Sequence, residues 1–428
     1  MLSFVAEQGH PLGELCQINQ GIVSGCDKVS KRHIKQYDLP VEVKGTGIFV
    51  LTAAEVETLD LTAAEQHILR PWFKNSDIER YWSRSQAKGE YLLYLKDAVI
   101  DLPAAIKKHL KPFRPILKVR REVKSGRIKW WELQWPRQQE IFEQPKLLVP
   151  QRSKTNTFAY NETAWYASAD VYYITQPDAE VKLKYILALL NSSLYYLWFY
   201  YKGKKKGNLL ELYQKPLTEV PIKVAAAEQQ QIFIDLVEEI QTKKKKIKEY
   251  QDITFTAVRE DKQLTTESTL KEIIKDKNGF KTHYHGQAKI VRSMKVEIKA
   301  KKIIIYSAKS SSGYYKLIEF AINNNELRKY IKFYLENMTH QQLEDINQTA
   351  ESSIINRLVA IRLPGYYEQD KIQAIVDYWE QIKANQQQLQ AKLQQLEQEI
   401  DELVYQLYDF STAEIEFLTK KVEELKSN

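Results

Sequence analysis

The sequence predicts an α+β protein, in which a mixed α/β domain is followed by two long helices that carry a second small α/β lobe. Three observations support this fold class. Short apolar β-type runs alternate with helical stretches over residues 1–222. Two later stretches have the heptad spacing of helices that pair along a seam. Residues 251–365, which lie between those two stretches, again mix strand and helix patterns.

The first domain is predicted to span residues 1–222. Thr52 and Glu55 have the spacing of a capping box, so a helix should begin there. Residues 178–197 are predicted as one helix with a buried face. Three apolar runs are typical of strands, at residues 47–51, 146–150 and 171–175.

Heptad spacing predicts helices over residues 223–250 and 366–428. The seam of the first helix consists of Phe233, Leu236, Ile240, Lys243, Ile247 and Tyr250. The seam of the second consists of Ile372, Ile375, Trp379, Ile382, Gln386, Leu389, Leu393, Leu396, Ile400, Leu403 and Leu407. Spacing this regular favours an antiparallel coiled coil. The alternative is that each helix packs on a globular core.

The segment between these helices, residues 251–365, is predicted as an inserted α/β lobe. Residues 296–308 indicate a pair of strands, and residues 318–322 and 327–335 are predicted to be helical.

Composition and charge limit the classes of protein that fit. The net charge is +8, and residues 111–160 alone contain 12 Lys and Arg against 4 Glu. A concentrated basic surplus indicates a polyanionic partner. No apolar run reaches the roughly 18 residues that span a bilayer, and no secretory signal is evident, so we expect no membrane partner. Two cysteines, Cys16 and Cys26, fit a reducing cytoplasm and form a poor metal site.

Six stretches together resemble the TaqI-like C-terminal specificity (target-recognition) domain of adenine-specific DNA methyltransferases and type IIG restriction–modification enzymes. Their order along the chain is the same as in that family, and they cover most of residues 12–222 and part of the C-terminal helix. They are Leu12–Val29, Leu69–Trp82, Lys111–Arg137, Phe142–Glu162, Ile186–Ile222 and Glu399–Leu418.

The resemblance implies sequence-specific recognition of double-stranded DNA. The coiled coil predicted from the heptad spacing would then act as a spacer or as a docking surface for a methyltransferase or nuclease part. The catalytic half of that family carries a [DNS]PP[YFW] motif, whereas no Pro-Pro dipeptide occurs here. We therefore expect no catalytic residues and no S-adenosylmethionine site in this chain. It would be either the recognition half of a larger enzyme or a free-standing specificity subunit.

Three basic segments are the candidates for DNA contact, because Lys and Arg bind phosphates and Arg and Asn can read bases. The first segment comprises Lys118, Arg120, Arg121, Lys124, Arg127 and Lys129, with Arg137 beyond it. Ser125 and Gly126 place its charges on a loop or hairpin, and the adjoining Trp130 and Trp131 are predicted to pack in the core. A solvated basic face is the alternative.

The second segment comprises Arg152, Lys154 and Asn156, whose alternation would place them on one face of an extended run. Arg152 would read a guanine and Asn156 an adenine; an exposed polar strand edge is the alternative. The third segment comprises Lys202, Lys204, Lys205 and Lys206, a lysine loop that would bind phosphates or simply be a surface loop. The run at 243–246 is more typical of a solvated helix face.

Two other classes compete with DNA recognition. A metal-dependent nuclease would use Glu297 and Lys299 with Asp276 as an upstream acid, although such triplets arise by chance in a chain that is 28% charged. The pair His283 and His285 is more typical of a loop than of a metal site. A protein–protein scaffold would use its basic region only for solubility.

Overall fold

The computed structural model describes residues 1–96, 102–274, 280–283, 290–310, 312–348 and 353–427. The chain divides into two compact units. The first contains Met1–Lys244 and Leu393–Asn428, and the second contains Lys245–Lys392. Helices and mainly antiparallel strands are mixed in both units, which confirms the predicted α+β class.

Helices of the described residues are numbered along the chain. They are α1 (Leu2–Gln8), α2 (Leu12–Leu15), α3 (Lys31–Tyr37), α4 (Ala53–Glu57), α5 (Ala104–Leu110), α6 (Arg114–Lys118), α7 (Arg121–Lys124), α8 (Glu140–Glu143), α9 (Leu183–Asn191), α10 (Ser193–Tyr201), α11 (Gln214–Thr218), α12 (Ala227–Asp252), α13 (Phe255–Glu260), α14 (Leu270–Ile274), α15 (Asn325–Glu336), α16 (His340–Gln348), α17 (Ile354–Val359), α18 (Gln369–Leu407) and α19 (Thr412–Ser427).

Strands are numbered in the same way. They are β1 (His10–Pro11), β2 (Gln17–Gln20), β3 (Val50–Thr52), β4 (Leu69–Phe73), β5 (Ile78–Glu79), β6 (Trp82–Ser83), β7 (Glu90–Leu93), β8 (Lys146–Pro150), β9 (Arg152–Ser153), β10 (Ala159–Asn161), β11 (Tyr166–Ala167), β12 (Val171–Thr175), β13 (Lys204–Lys206), β14 (Leu209–Glu211), β15 (Pro221–Ile222), β16 (Glu267–Thr269), β17 (Lys281–Thr282), β18 (Met294–Lys299), β19 (Lys302–Ala308), β20 (Tyr314–Ala321) and β21 (Arg362–Pro364).

Three small sheets organise the first unit, in the strand orders β10-β8-β12-β2, β11-β4-β7-β3 and β13-β14-β9. Strands β8 and β12 are buried along their whole length and coincide with two of the predicted runs. The capping box also forms, because Thr52 Oγ1 accepts from the Glu55 amide and Glu55 Oε2 accepts from the Thr52 amide. These local signals were sufficient to locate α4 and the central strands.

The predicted single helix over residues 178–197 is wrong. The chain forms α9 and α10 instead, and Ser192 between them has an extended backbone with φ −70° and ψ 161°. Almost every residue of α9 is buried, so the apolar pattern there does not define one face and gives no sign of the break.

The second unit is built on the sheet β17-β20-β19-β18, covered by α15. Strands β18 and β19 form the predicted strand pair, and Ala300 between them has a φ of 53°. Helix α15 confirms the predicted helix at 327–335. The helix predicted at 318–322 is wrong, since those residues belong mostly to β20 and pair with Ile303 and Ile305 of β19.

Helices α12 and α18 contain the two boundaries between the units. In the second unit, the N-terminal part of α18 contributes seam residues to the globular core, as the alternative interpretation proposed: Ile372, Ile375, Trp379 and Ile382. Nearby, Asn385 Nδ2 donates to Tyr250 Oη of α12 (3.1 Å). A coiled coil along the remaining seam stays a prediction.

None of the helices in the described ranges combines the length and the apolar character that crossing a membrane requires.

Candidate nucleic-acid interface

The first basic segment lies on α6, α7 and the loop that follows them, rather than on a hairpin. Ile116 and Leu117 are buried in the core of the first unit and hold α6 in place. Gly126 has a φ of 72°, which ends α7 in a turn. Five cations of the segment have exposed side chains: Lys118, Arg121, Lys124, Arg127 and Lys129.

Arg120 is the exception in this segment, and its assignment to DNA contact is wrong. The side chain is buried, and its guanidinium donates to the carbonyls of Leu117 (3.0 Å), Ser24 (3.0 Å) and Trp130 (2.8 Å). Burial lowers the pKa of Arg120 to about 10. A buried guanidinium that three backbone carbonyls hold in place does not reach a DNA groove, so Arg120 instead fastens α6 and α7 to the loop around Ser24.

The two tryptophans beside this segment pack against the core, as predicted. Trp130 and Trp131 are half-buried and meet edge to face, with ring centroids 5.6 Å apart. The Arg114 guanidinium lies 5.3 Å from the Trp130 ring, and Lys129 Nζ lies 5.3 Å from the Trp131 ring. The rings therefore form a support beneath two cations of the surface.

Arg137 lies at the opposite end of the Gly21–Gly25 loop from Arg120. Its Nε donates to the Gly21 carbonyl (3.2 Å) and its Nη2 to Gln20 Oε1 (3.3 Å). Burial lowers the pKa of this half-buried guanidinium. Gly21 is required at this point, because a Cβ there would collide with the Ser168 carbonyl. Arg137 thus has a positioning role in the loop, in addition to any contact with DNA.

The second and third basic segments, which are about 50 residues apart in the sequence, come together in the sheet β13-β14-β9. Lys204 pairs with Glu211 of β14, and Glu211 pairs with Arg152 of β9. Arg152 Nε donates to Glu211 Oε1 (3.1 Å), and Arg152 Nη2 donates to Tyr213 Oη (3.0 Å). The pairing gives Arg152 a fixed orientation, although 40% of its side chain is exposed.

The lysines of these two segments are exposed. They are Lys154, Lys202, Lys204, Lys205 and Lys206. The sequence did not indicate that these two segments meet at one sheet, because that requires β14 to pair with both β13 and β9.

The assignment of Asn156 to base reading is wrong. Strand β9 ends at Ser153, so the expected alternation stops before Asn156 is reached. The Asn156 side chain is fully buried, and its Nδ2 donates to the carbonyls of Leu190 (2.7 Å) and Ser192 (2.8 Å). These carbonyls lie at the break between α9 and α10, so Asn156 stabilises that break.

Two hollows flank β9 and include residues that the sequence did not single out. The smaller, about 450 Å³, is lined by polar residues that include Asn75, Arg80, Arg152 and Lys244. Arg80 Nη2 is bound to Glu397 Oε2 at 2.7 Å. The larger, about 600 Å³, is lined by Lys154, Lys205, Lys426 and two tyrosines. Only the assembled fold brings these residues from distant parts of the chain together.

The nuclease candidate gains no support from the described residues. The Glu297 carboxylate on β18 forms ion pairs with Lys295 Nζ (2.8 Å) and Lys299 Nζ (3.6 Å). It also accepts a hydrogen bond from Tyr306 Oη (3.1 Å). Asp276 and His285 lie outside the residues that the structure describes. Over the described ranges, no three His, Cys, Asp or Glu side chains form a group that could hold a metal ion.

One comparison with known proteins matches a segment that lies wholly in the first unit. A family model described as the TaqI-like C-terminal specificity domain matches residues 114–222. The type II methyltransferase M.BstVI of Geobacillus stearothermophilus is 24% identical over 205 residues, which are 48% of this chain and 32% of that protein. The type II methyltransferase M.HincII of Haemophilus influenzae is 32% identical over 104 residues, which are 22% of this chain and 21% of that protein.

The chain thus matches about a third or less of the length of these relatives. Among solved structures, the S subunit of a type I restriction-modification system from M. genitalium covers 94% of this chain and 96% of its own, with 12% identity and a TM-score of 0.38. A TM-score at that level carries no argument about this chain. The resemblance to the TaqI-like C-terminal specificity domain is confirmed over residues 114–222.

Proposed function

We propose that this chain is the DNA-recognition part of an adenine-specific restriction–modification methyltransferase, and that its first unit binds double-stranded DNA. One observation carries the proposal. The exposed cations of all three basic segments lie within residues 114–222, which is the segment that matches a specificity domain. Exposed Lys and Arg on a rigid scaffold supply the phosphate contacts on which duplex binding depends.

The cations divide by what their surroundings allow. Lysines on exposed positions of α6, α7 and β13 are free to follow a phosphate backbone, and they carry no sequence information. Arg152 is held by Glu211 and Tyr213 through Nε and Nη2, so its orientation is fixed before DNA arrives. A pre-oriented guanidinium suits paired hydrogen bonds to a guanine edge. Arg152 is therefore the residue we assign to base reading.

Binding of a random duplex, measured by fluorescence anisotropy over a range of salt concentrations, tests the proposal. We expect affinity to fall steeply between about 50 and about 200 mM salt. The double substitution Lys204→Glu and Lys206→Glu should weaken binding and reduce the log–log salt slope by about 2. The matched control, Lys31→Glu and Lys35→Glu, reverses two exposed lysines of α3 outside the matched segment. Equal weakening by both pairs would show that only net charge matters.

We further propose that methyl transfer and S-adenosylmethionine binding belong to a separate catalytic part. This part would be joined to the chain in one polypeptide or would bind it as a partner subunit. Purification of the chain from its native cell distinguishes the two: a free-standing specificity subunit should bring with it a protein that carries a [DNS]PP[YFW] motif. The isolated chain should transfer no labelled methyl group to duplex DNA. Methylation by the isolated chain would contradict this assignment.

A further inference from the structure

The larger hollow beside β9 has a composition that duplex binding does not explain. Its volume of about 600 Å³ is within the range of small-molecule sites. Lys154, Lys205 and Lys426 supply its cations, and Tyr196, Tyr200 and Leu210 supply much of its apolar wall. We call it the tyrosine hollow. All of these residues belong to the first unit.

Strand β13 divides its three lysines between two surfaces. Successive residues of a strand point to opposite faces. Lys205 pairs with Leu210, and both line the tyrosine hollow, whereas Lys204 pairs with Glu211 on the other face. Lys206 shares the face of Lys204. The lysine run is therefore not one uniform phosphate contact, because its central member belongs to a separate site.

Two of the amines in the hollow lie against aromatic rings. Lys205 Nζ is 3.5 Å from the centroid of the Tyr200 ring, and Lys426 Nζ is 5.6 Å from that of Tyr196. The two rings are one helical turn apart on α10, with centroids 6.0 Å apart. The hollow thus places positive charge beside two neighbouring tyrosine rings, and Lys154 adds a third amine.

The two carboxylates nearest to Lys426, Asp401 and Glu397, are bound to other groups. Burial and the positive charge of Arg80 lower the pKa of Lys426, although Asp401 and Glu397 act in the opposite direction. Both carboxylates already have partners, since Glu397 binds Arg80 and Asp401 accepts from the Ser193 amide and hydroxyl. An anion entering the hollow would oppose this lowering and favour the charged form of Lys426.

We propose that the tyrosine hollow binds a single nucleotide. Its phosphate would lie among Lys154, Lys205 and Lys426, and its base would lie against Tyr196 and Tyr200. A cationic rim beside an aromatic wall is the combination that holds unpaired nucleotides in proteins. The nucleotide is either free or extruded from a duplex, and only the second form rests on the function proposed above.

Calorimetric titration of the full chain tests the site with three probes: deoxyadenosine monophosphate, deoxyadenosine and inorganic phosphate. The monophosphate should bind at least about tenfold more tightly than either part alone. Lys205→Gln and Lys426→Gln should each weaken it by about tenfold, while Lys204→Gln, on the same strand but the opposite face, should leave it unchanged. Tyr200→Leu is a second test, because it removes one of the two rings that would hold the base and keeps all three amines. It should also weaken binding of the monophosphate. Thermal melting of each variant shows that it is folded.

A duplex with one unpaired adenine separates the two sources of the nucleotide. If the nucleotide comes from DNA, the chain should prefer this duplex over a fully paired one, and Lys205→Gln should remove the preference that Lys204→Gln retains. The proposal is overturned if phosphate binds as tightly as the monophosphate. It is also overturned if Lys204→Gln and Lys205→Gln change the affinity for the monophosphate, and the preference for the duplex with the unpaired adenine, to the same extent. Nucleotide binding without duplex binding would support the hollow and reject the proposed function.

Discussion

Lys146 is a fully buried lysine at the start of β8, and its amine is held by backbone carbonyls. Nζ donates to the carbonyls of Gln144 (3.1 Å) and Thr163 (2.6 Å). Burial lowers the pKa of Lys146 from 10.5 to about 7, against the attraction of Glu143 and Glu162. The unfolded chain therefore binds this proton more tightly than the folded chain does.

Stability should consequently rise with pH between about 7 and 10.5, the folded and unfolded pKa values of Lys146. Below pH 7 the Lys146 amine is charged in both the folded and the unfolded chain, so the cost of burying its charge lowers stability in full. This cost decreases as pH rises from about 7 to 10.5, because the folded chain then buries a neutral amine. The Lys146 contribution to the slope should approach about 1.4 kcal/mol per pH unit near pH 8 to 9. Urea unfolding at several pH values should show this contribution in the unchanged chain and its loss in Lys146→Met. Lys44→Met, at an exposed position, should retain it; equal slopes in both variants would contradict the assignment.

At the residue level, the sequence predicted which side-chain types matter but not where each side chain points. Lys118, Arg121 and Lys204 are exposed as expected. Arg120 and Asn156 are of the same types and lie in the same segments, yet they are buried on backbone carbonyls. The difference depends on chain segments that lie 96 and 34 residues away along the sequence, and no local pattern contains that information.

Among the elements, the break between α9 and α10 depends most on side chains from elsewhere in the fold. Asn156 Nδ2 donates to the Leu190 and Ser192 carbonyls, and Asn191 exchanges two hydrogen bonds with the backbone of Phe158. Asn156→Ala would leave two buried carbonyls without this donor. The Ser192 carbonyl still accepts from the Tyr196 amide (3.0 Å), so we expect the free energy of unfolding to fall by about 1–3 kcal/mol, the cost of one buried group that loses its partner.

Chemical denaturation measures this loss, and Asn208→Ala, at an exposed turn position, is the matched control with an expected change near zero. DNA affinity per folded molecule should stay unchanged in Asn156→Ala. A variant that keeps its stability but changes its preference among DNA sequences would instead restore the base-reading role to Asn156.

Elements were predicted correctly where the signal is local. The capping box at Thr52 and Glu55 needs only four residues, and β8 and β12 are short apolar runs bounded by turns. The run at 318–322 failed because an apolar run has no period that separates helix from strand. Its pairing with Ile303 and Ile305 decides the outcome, and pairing is not a property of the run itself.

For the molecule as a whole, the two units have separate cores and, in the proposed function, separate roles. The first unit contains the segment that matches a specificity domain, together with all the cations assigned to DNA. Ile305 lies in the core of the second unit, at the centre of β19, and is fully buried. Removing one of its methyl groups should therefore disturb stability without changing DNA binding.

Ile305→Val should lower the stability of the second unit by about 0.5–1.5 kcal/mol, because the lost methyl group leaves a small cavity. Leu148→Ala, in the core of the first unit, should cost about 2–5 kcal/mol. At temperatures where both variants are folded, Ile305→Val should leave duplex affinity unchanged. As temperature rises, Leu148→Ala should lose DNA binding earlier than the unchanged chain, whereas Ile305→Val should not. Parallel melting curves and anisotropy measurements compare the two, and early loss of binding in Ile305→Val would place part of the DNA surface in the second unit.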